Sequence, residues 1–339
     1  MTDFCAGLGE RPFRARQLYA WLYGKGENDF AKMTDVPAAA REKLEKASHA
    51  GGLAPAGSLS SKDRKTTKYL FEADDGNTIE SVFMKYKDRN SICISTQAGC
   101  RMGCRFCVSG ELGLARNLSA AEMSLQIILA ERLSEAKTKN IVLMGIGEPL
   151  DNYGNVRKFI ENFTDDHGRD LSRRAITIST CGLVPEIERL AAELPQVNLA
   201  VSLHAPNDEM RNKIMPVTKK YGVREIVAAA KKHYQATHRR PTFEYALIEG
   251  FNDGPEHAAE LAALLRGMNC IVNLIPLNNG TAGSKWRGAG AETAERFREE
   301  LGRRHRPATI RKSLGEDIGA ACGQLRLSRA GQRNIEQNQ

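Results

Sequence analysis

From residue 91 onward, short apolar or β-branched runs alternate with helical stretches, and this alternation limits the fold more than any other feature of the sequence. The predicted strands cover residues 91–96, 140–145, 175–180, 197–203, 241–248 and 270–276. The predicted helices between them cover residues 119–133, 153–163, 184–194, 222–236 and 255–267. Repeated strand–helix units favour a parallel sheet with right-handed crossovers. We therefore predict an α/β fold, a partial (β/α)6 barrel, with a doubly wound open sheet as the alternative.

Small polar residues share one face of several predicted strands. In the first strand, Ile92 and Ile94 point to one side, while Cys93 and Ser95 point to the other. The same bias returns in later strands at Thr177, Ser179, Ser202 and His204. In barrel enzymes the active site lies at the carboxyl ends of the strands. The pattern therefore predicts a site at that edge; the alternative is that serine and threonine merely tolerate strand interiors.

The region before the barrel pattern is predicted to contain two helices and a hairpin. Residues 13–24 and 37–47 are the helices, and the Gly-, Ala-, Ser- and Lys-rich residues 48–65 are predicted as a loop. Residues 66–73 and 77–86 are β-prone and flank an Asp-Gly pair, which is typical of a β-hairpin. Four basic residues accompany the aromatic first helix: Arg11, Arg14, Arg16 and Lys25. They form either a solvated helix face or a surface for a nucleic-acid backbone.

Composition excludes some classes of protein and leaves others open. The chain of 339 residues contains no apolar run long enough for a membrane span, and its N-terminus lacks the pattern of a secretory signal. We therefore expect a cytoplasmic protein, in which the eight cysteines are metal ligands, catalytic thiols or buried small side chains. The net charge of +8 suits either a polyanionic partner or simply a basic enzyme.

Three cysteines follow the first predicted strand with the spacing C-x3-C-x2-C, at Cys100, Cys104 and Cys107. Three neighbouring thiolates suit a [4Fe-4S] cluster with one iron left open for a cosubstrate. The alternative is a structural zinc ion completed by a distant ligand, although no second C-x2-C or His pair accompanies these cysteines. After the first strand of a (β/α) pattern, this spacing resembles the signature of radical S-adenosylmethionine (SAM) enzymes.

Several further segments resemble the RlmN/Cfr family of RNA adenosine methyltransferases. They are SICISTQAGCRMGCRFCVSG (91–110), ARNLSAAE (115–122), MGIGEPLDN (144–152), ITISTCGLVP (176–185), VSLHAPNDEMRNKIMPVTKKY (201–221), LIEGFNDGPEHA (247–258), NLIPLN (273–278) and RKSLGEDIGAACGQL (311–325). The N-terminal segments 12–23 and 33–37 are also similar to that family's helical domain. The resemblance covers nearly the whole chain, and the last segment is specific to the family rather than to radical SAM enzymes in general.

The resemblance implies a radical methylation of RNA adenine that consumes two SAM molecules per turnover. Cys100, Cys104 and Cys107 would hold the [4Fe-4S] cluster to which SAM binds. Cys322 would accept a methyl group, and a 5′-deoxyadenosyl radical would then activate that group for addition to the adenine ring. Cys93 would resolve the resulting protein–RNA adduct, with a disulfide to Cys322 as by-product.

Further site residues are implied only by their position in the matching segments. Glu80 corresponds to a carboxylate that acts as a proton acceptor. Contacts to SAM are implied for Gly147, Glu148, Ser179, Ser202, Leu203, His204 and Asn278. The implied substrate is 23S ribosomal RNA, with transfer RNA as a second candidate. The resemblance further implies that the chain is a monomer and that it receives electrons from a donor such as flavodoxin or ferredoxin.

The resemblance also implies a division of the chain and leaves alternatives open. Residues 1–85 would form a helical accessory domain with a hairpin, a candidate for RNA binding; residues 86–315 would form the radical SAM core, and residues 316–339 a C-terminal segment with the methyl-accepting cysteine. The shared motifs do not distinguish methylation at C2 of adenine from methylation at C8, which confers resistance to ribosome-directed drugs. A radical SAM enzyme acting on a peptide or small molecule and a zinc-stabilised RNA-binding protein are the alternatives from other classes.

Overall fold

The computed structural model describes residues 1–111, 113–278, 286–311 and 314–320. Its main feature is a ten-stranded sheet, accompanied by a two-stranded sheet beside the cysteine loop. The strands are Leu53–Ser60 (β1), Thr66–Ala73 (β2), Thr78–Lys85 (β3), Asn90–Cys93 (β4), Gln97–Cys100 (β5), Gly113–Asn117 (β6), Asn140–Leu143 (β7), Ile176–Thr180 (β8), Asn198–Ser202 (β9), Thr242–Leu247 (β10), Ile271–Pro276 (β11) and Ala308–Ile310 (β12).

Helices cover one face of this sheet and form the N-terminal unit. They are Thr2–Gly7 (α1), Pro12–Tyr19 (α2), Ala38–Ala47 (α3), Val108–Glu111 (α4), Ala120–Ser134 (α5), Tyr153–Thr164 (α6), Val184–Glu193 (α7), Asp208–Ile214 (α8), Val223–Thr237 (α9), Pro255–Leu264 (α10) and Ala291–Arg303 (α11). A π-helical turn, Ala20–Lys25, continues α2. Ser119 starts α5 with a capping box: its side chain accepts from the Glu122 backbone N–H, and the Glu122 carboxylate accepts from the Ser119 N–H.

The order of the strands confirms the partial barrel. In the large sheet, β4, β7, β8, β9, β10, β11 and β12 are parallel and follow one another in chain order. A doubly wound sheet would reverse its strand order partway along, so that alternative is wrong. Within the described residues the sheet stays open, with β1 at one edge and β12 at the other. The six strands predicted for the barrel and the five helices between them are all present.

The antiparallel edge of the sheet differs from the prediction. Residues 48–65, predicted as a loop, contain β1, which pairs with β2 from Leu53↔Ala73 to Ser60↔Thr67. The small residues of β1 do not favour a strand by themselves, so this strand depends on its pairing with a neighbour. The predicted hairpin of β2 and β3 is present and continues into β4 through the register pair Val82↔Cys93. The predicted strand 91–96 ends at Cys93.

Two separate sets of buried side chains stabilise the chain. The small N-terminal core joins α1, α2 and α3 through Cys5, Leu18, Met33 and Leu44. The large core lies between the sheet and its helices, and it also contains Tyr69 and Phe71 of β2 and Leu53 of β1. The β1–β2 hairpin therefore shares its apolar core with the barrel, and the predicted domain limits at 85 and 315 stay a prediction.

Arg14 is a structural residue of the N-terminal unit. Its side chain is buried, hydrogen-bonds to Gln17 and forms an ion pair with Glu10. Arg14 is therefore unavailable to either alternative given for Arg11, Arg14, Arg16 and Lys25, a solvated helix face or a nucleic-acid surface. Among the helices that the structure describes, none has both the length and the apolar character required to cross a bilayer.

Candidate active site

A cavity opens at the carboxyl ends of the parallel strands, where the polar faces of the strands predicted a site. Its empty volume of about 980 Å³, part of it open to solvent, lies at the upper end of the range for ligand pockets. The lining includes Cys100, Cys104, Cys107, Gly147, Glu148, Ser179, Ser202, His204, Glu244, Asn278 and Arg311. Nine of the twelve site residues predicted within the described chain therefore line one cavity; Leu203, Cys93 and Glu80 do not.

The cysteine loop is framed by the two-stranded sheet of β5 and β6. Gly99 has a φ of +79°, and a Cβ there would come within 2.0 Å of the Gly113 carbonyl oxygen across that sheet. Only glycine allows both the backbone angle and the close approach. Beyond this pair the chain turns tightly, with the Cys107 N–H donating to the Cys104 carbonyl at 3.1 Å. The local fold thus directs all three cysteines toward the cavity.

The three thiols fit a cluster better than a single metal ion. Tetrahedral zinc holds its sulfur ligands at about 2.3 Å, which places neighbouring sulfurs about 3.8 Å apart. In the described chain, the only three His, Cys, Asp or Glu residues whose ligand atoms all lie within 4.8 Å of one another are Asp165, Asp166 and His167. The three cysteine sulfurs therefore do not all lie within 4.8 Å of one another, which is wider than one tetrahedral zinc ion requires.

Burial makes these thiols poor anions without a cation beside them. Loss of solvation, together with the neighbouring Glu148, Cys107 and Asp151, raises the pKa of Cys100 to about 12. Burial likewise raises the pKa of Cys104 well above its usual range. Iron–sulfur clusters bind thiolates, so the positive iron would favour the deprotonated form of these buried cysteines.

Gly147 and Glu148 form the floor of the cavity beside the end of β7. Gly147 has a φ of +105°, and a Cβ there would meet the Gln97 Cβ at 2.6 Å. The Glu148 carboxylate accepts backbone N–H bonds from Cys181 at 2.7 Å and from Leu150 at 3.0 Å. Burial nevertheless raises the pKa of Glu148. A fixed, buried carboxylate of this kind is suited to an ammonium group such as that of SAM.

The ends of β8 and β9 bring polar side chains together. The hydroxyl oxygens of Ser179 and Ser202 lie 3.4 Å apart. His204 has a left-handed φ of 58°, and its Nδ1 accepts from the Ala246 N–H at 2.9 Å. That bond leaves the ring proton on Nε2. The ring packs edge-on against Phe106, with ring centroids 5.0 Å apart, and burial lowers the pKa of His204 to about 3.

Leu203 belongs to the large core rather than to the wall of the cavity. Its side chain is fully buried among core residues. Its N–H donates to the Glu244 carbonyl, and its own carbonyl accepts from Arg211 Nε at 3.0 Å. The structure thus brings Ser202 and His204 to the cavity and turns the intervening leucine away, as strand alternation requires.

Cys93 and Glu80 lie on the inner face of the antiparallel edge. Cys93 is buried in a small cluster with Val82, Met84, Ile146 and Ala320. Glu80 precedes Val82 by two residues on β3 and therefore faces the same side. The Ser95 hydroxyl, just beyond the end of β4, links this part of the chain to β3 by donating to the Glu80 carbonyl at 2.6 Å. Both residues therefore lie beside the segment that leads to Cys322.

Cys322 lies outside the described residues, so its predicted role stays a prediction. Ala320, two residues before it, packs in the same cluster as Cys93. No disulfide joins two of the cysteines that the structure describes, and the predicted link between Cys93 and Cys322 involves a residue outside them, so it stays a prediction.

Three residues near the site were missed by the sequence interpretation. Arg211 is fully buried and hydrogen-bonds to strand ends around the cavity. Glu244 lines the cavity and accepts from Asn273 Nδ2 at 2.8 Å. Lys68 forms an ion pair with Glu80, with 3.2 Å between Nζ and Oε1. The sequence signal that could have identified these residues is the presence of a charged side chain within a predicted strand or short helix.

Comparison with known families identifies two regions of the chain. Residues 1–49 match the family described as ribosomal RNA large subunit methyltransferase N-terminal domain. Residues 94–262 match the radical SAM superfamily. The second region begins just before the cysteine loop and includes the ends of β7, β8, β9 and β10, which line the cavity.

Curated relatives match almost the full length of the chain. One from Lachnospira eligens is 45% identical over 96% of this chain and 93% of its own. One from Thermoanaerobacter pseudethanolicus is 46% identical over 96% of this chain and 95% of its own. Both carry the name "Probable dual-specificity RNA methyltransferase RlmN".

A solved structure shows the same fold. The radical SAM methyltransferase from Sphaerobacter thermophilus superimposes with a TM-score of 0.93 and covers 96% of each chain. It is 43% identical in sequence to this protein. The partial barrel and the accessory units at its ends are therefore common to both proteins.

Proposed function

Because the chain belongs to the RlmN family of radical SAM methyltransferases, we propose that it methylates C2 of adenosine in 23S ribosomal RNA and in transfer RNA. The observation that carries this proposal is the match over 96% of the chain to relatives named as dual-specificity RNA methyltransferases. Methylation at C8 is the alternative within the family, because the shared motifs do not distinguish the two ring positions.

Members of this family use a [4Fe-4S] cluster and two SAM molecules per turnover, and the cavity has suitable residues for both. When bound, the cluster supplies the electron that opens SAM to radical chemistry. Cys100, Cys104 and Cys107 would hold the cluster from one side of the cavity. Glu148 would bind the amino group of SAM, while Ser179, Ser202, His204 and Asn278 would orient the rest of the molecule.

The inner face of the antiparallel edge would carry the methyl transfer. We assign Cys322 as the thiol whose sulfur would attack the methyl carbon of SAM and take the methyl group, with S-adenosylhomocysteine as the leaving group. Ala320 lies in the Cys93 cluster, and two further residues extend a chain by at most about 7 Å. Cys93 would then be within reach to resolve the link between Cys322 and the RNA. Glu80, on the same face, would accept the proton that leaves the adenine ring.

Other features of the chain fit this proposal. The N-terminal helices belong to the unit that matches a ribosomal RNA methyltransferase domain, so we assign RNA contacts to residues 1–49. The net charge of +8 suits a polyanionic substrate. We further propose that the chain acts in the cytoplasm as a monomer and receives electrons from flavodoxin or ferredoxin.

Nucleoside mass spectrometry tests the reaction directly. The anaerobically reconstituted enzyme is incubated with SAM, a reductant and 23S ribosomal RNA or transfer RNA, and the RNA is then digested to nucleosides. We expect 2-methyladenosine from both RNAs. A product methylated at C8 would show that the chain has the alternative specificity. The absence of methylated adenosine from both RNAs would refute the proposal.

The Cys322→Ala variant tests the methyl carrier. We expect no RNA methylation from it, although iron and sulfide analysis should show an undiminished cluster, because Cys322 is not among the cluster cysteines. Cys270→Ala is the matched control, since Cys270 is buried in the large core. Undiminished methylation by Cys322→Ala would contradict the assignment, and zinc without sulfide in the wild-type protein would contradict the cluster.

A further inference from the structure

The described part of the C-terminal segment, Leu314–Ala320, lies against the β1–β2 hairpin. The carboxylate of Asp317 accepts from the Lys62 backbone N–H at 2.9 Å, in the turn between the two strands. Gly315 lies so close to the hairpin that a Cβ would come within 2.9 Å of Thr66 Cγ2. The segment that leads to Cys322 is thus docked on the antiparallel edge of the sheet.

Lys68 connects this docked segment to Glu80. Its Nζ lies 3.2 Å from Glu80 Oε1 and donates to the Gly319 carbonyl at 3.3 Å. Lys68 and Gly319 are 251 residues apart in the sequence, so their contact exists only in the folded chain. The side chains of Lys68 and Glu80 are 14% and 8% exposed, which places this ion pair largely out of water.

Strand register places Lys68 in line with Cys93. Lys68 pairs with Val82 across β2 and β3, and Val82 pairs with Cys93 across β3 and β4. Directly opposed residues of neighbouring strands point to the same face. Adjacent strands are about 4.8 Å apart, so Lys68 and Cys93 lie about 10 Å apart on the inner face. Glu80, two residues from Val82 along β3, is the diagonal neighbour of Lys68 on the same face.

We infer that Lys68 is a positioning residue that fixes the backbone of the Cys322 segment and the Glu80 carboxylate in one arrangement. This inference rests on the proposed function, since it concerns the segment Leu314–Ala320 that leads to the proposed methyl carrier. A cation that bridges a carboxylate and a backbone carbonyl restrains both groups without taking part in bond formation. Reactions that depend on such placement lose about 100-fold when reacting atoms shift by about 1 Å.

A direct RNA contact by Lys68 is less consistent with the geometry. Phosphate-binding lysines need an exposed ammonium group, whereas the Lys68 side chain is 14% exposed and already has two partners within the protein. Lys62, in the adjoining turn, is exposed and engages Asp317 of the segment through its backbone N–H. Replacement of Lys62 by methionine therefore removes a nearby charge while leaving the docking contact in place.

Two measurements on three variants test the inference. The variants are Lys68→Met, Lys68→Arg and the control Lys62→Met, each compared for cluster content and melting temperature. The first measurement is the rate at which SAM methylates Cys322 without RNA, followed by peptide mass spectrometry. The second is hydrogen–deuterium exchange of the peptide with Ile318 and Ala320, whose N–H groups donate to the Gly315 carbonyl.

We expect Lys68→Met to slow Cys322 methylation about 100-fold and to speed exchange in the segment, because the bridge is lost. Lys68→Arg should recover the rate to within about tenfold of wild type, since a guanidinium can also bridge a carboxylate and a carbonyl. Lys62→Met should match wild type in both measurements. If Lys68→Met lowers stability, the rescue by arginine still distinguishes positioning from a merely apolar defect.

Other outcomes overturn the inference or separate it from the proposed function. Unchanged methylation of Cys322 and unchanged exchange in Lys68→Met would refute the positioning role. Lost RNA methylation with both of these measurements unchanged would also refute it and assign Lys68 to a direct RNA contact. Faster exchange in Lys68→Met, in a chain whose wild type leaves RNA unmodified, would refute the proposed function while the docking role stands.

Discussion

Replacement of Arg211 should destabilise the wall of the SAM cavity and, with it, the whole chain. Arg211 on α8 is fully buried, and burial lowers the pKa of its guanidinium. It donates to the carbonyls of Leu203 at 3.0 Å, Ser202 at 3.0 Å and Cys181 at 2.5 Å. It also donates to the Thr218 hydroxyl at 3.0 Å. One side chain thus ties the ends of β8 and β9 to the loop after α8.

The magnitude follows from these four hydrogen bonds. In Arg211→Met the stem keeps its packing, but three carbonyls and one hydroxyl oxygen lose a donor in a buried site. Each lost bond costs about 1 kcal/mol, so we expect the free energy of unfolding to fall by about 4 kcal/mol. Hydrogen bonds from a charged donor are individually stronger than this. Removal of the buried charge of Arg211 offsets part of their loss, so the expected change stays near the lower figure. Since domains are stable by about 5–15 kcal/mol, the change is large.

Urea unfolding followed by circular dichroism measures the effect. Arg224→Met is the matched control, because Arg224 is an exposed arginine on α9 and should change stability by less than about 0.5 kcal/mol. SAM binding to the reconstituted protein should weaken in parallel, since Ser202 lines the cavity. A loss of stability below about 1 kcal/mol for Arg211→Met would refute the reasoning, because water or other donors would then be satisfying the carbonyls.

Two further predictions concern the cavity floor and the response to acid. Gly147→Ala should weaken SAM binding at least about tenfold, because the added Cβ would come within 2.6 Å of the Gln97 side chain. Equilibrium dialysis measures this affinity. Gly154→Ala is the control, since a Cβ at Gly154 would meet nothing within 4 Å. His233 has a pKa lowered to about 4 by burial and by Arg239, so the unfolded chain binds the extra proton below its pKa of about 6.5. The free energy of unfolding should therefore fall by about 3 kcal/mol as pH drops from 6.5 to 4. Urea unfolding at several pH values should show that His233→Leu lacks this part of the loss. An equal dependence of the unfolding free energy on pH in both proteins would contradict the prediction.

The barrel could be predicted from sequence because its signals are local. Each parallel strand is a short apolar run bounded by a helix, and strand periodicity alone separates Ile92 and Ile94 in the core from Cys93 on the inner face. The cysteine loop carries its chemistry in its spacing. Periodicity likewise brought Ser202 and His204 to the cavity, although the position-based assignment of Leu203 lies away from it.

The remaining features depend on contacts that no local pattern records. Strand β1 exists because Leu53–Ser60 finds a partner in β2, although its small residues predicted a loop. Arg211 has an unremarkable place in a short charged helix, and only the folded chain shows that it is fully buried. Lys68 looks like the solvated residue of a hairpin until the segment 314–320 packs beside it.

Strand β4 links the two halves of the proposed chemistry. Its inner face presents Cys93 to the antiparallel edge, where Lys68 and Glu80 hold the approach to Cys322. Its carboxyl end leads directly into β5 and the cysteine loop. A slip of β4 by one residue would turn Cys93 into the core and move the loop at the same time. Ile92 and Ile94, buried on the opposite face, prevent that slip. The register of this four-residue strand therefore fixes where Cys93 lies relative to the cysteine loop.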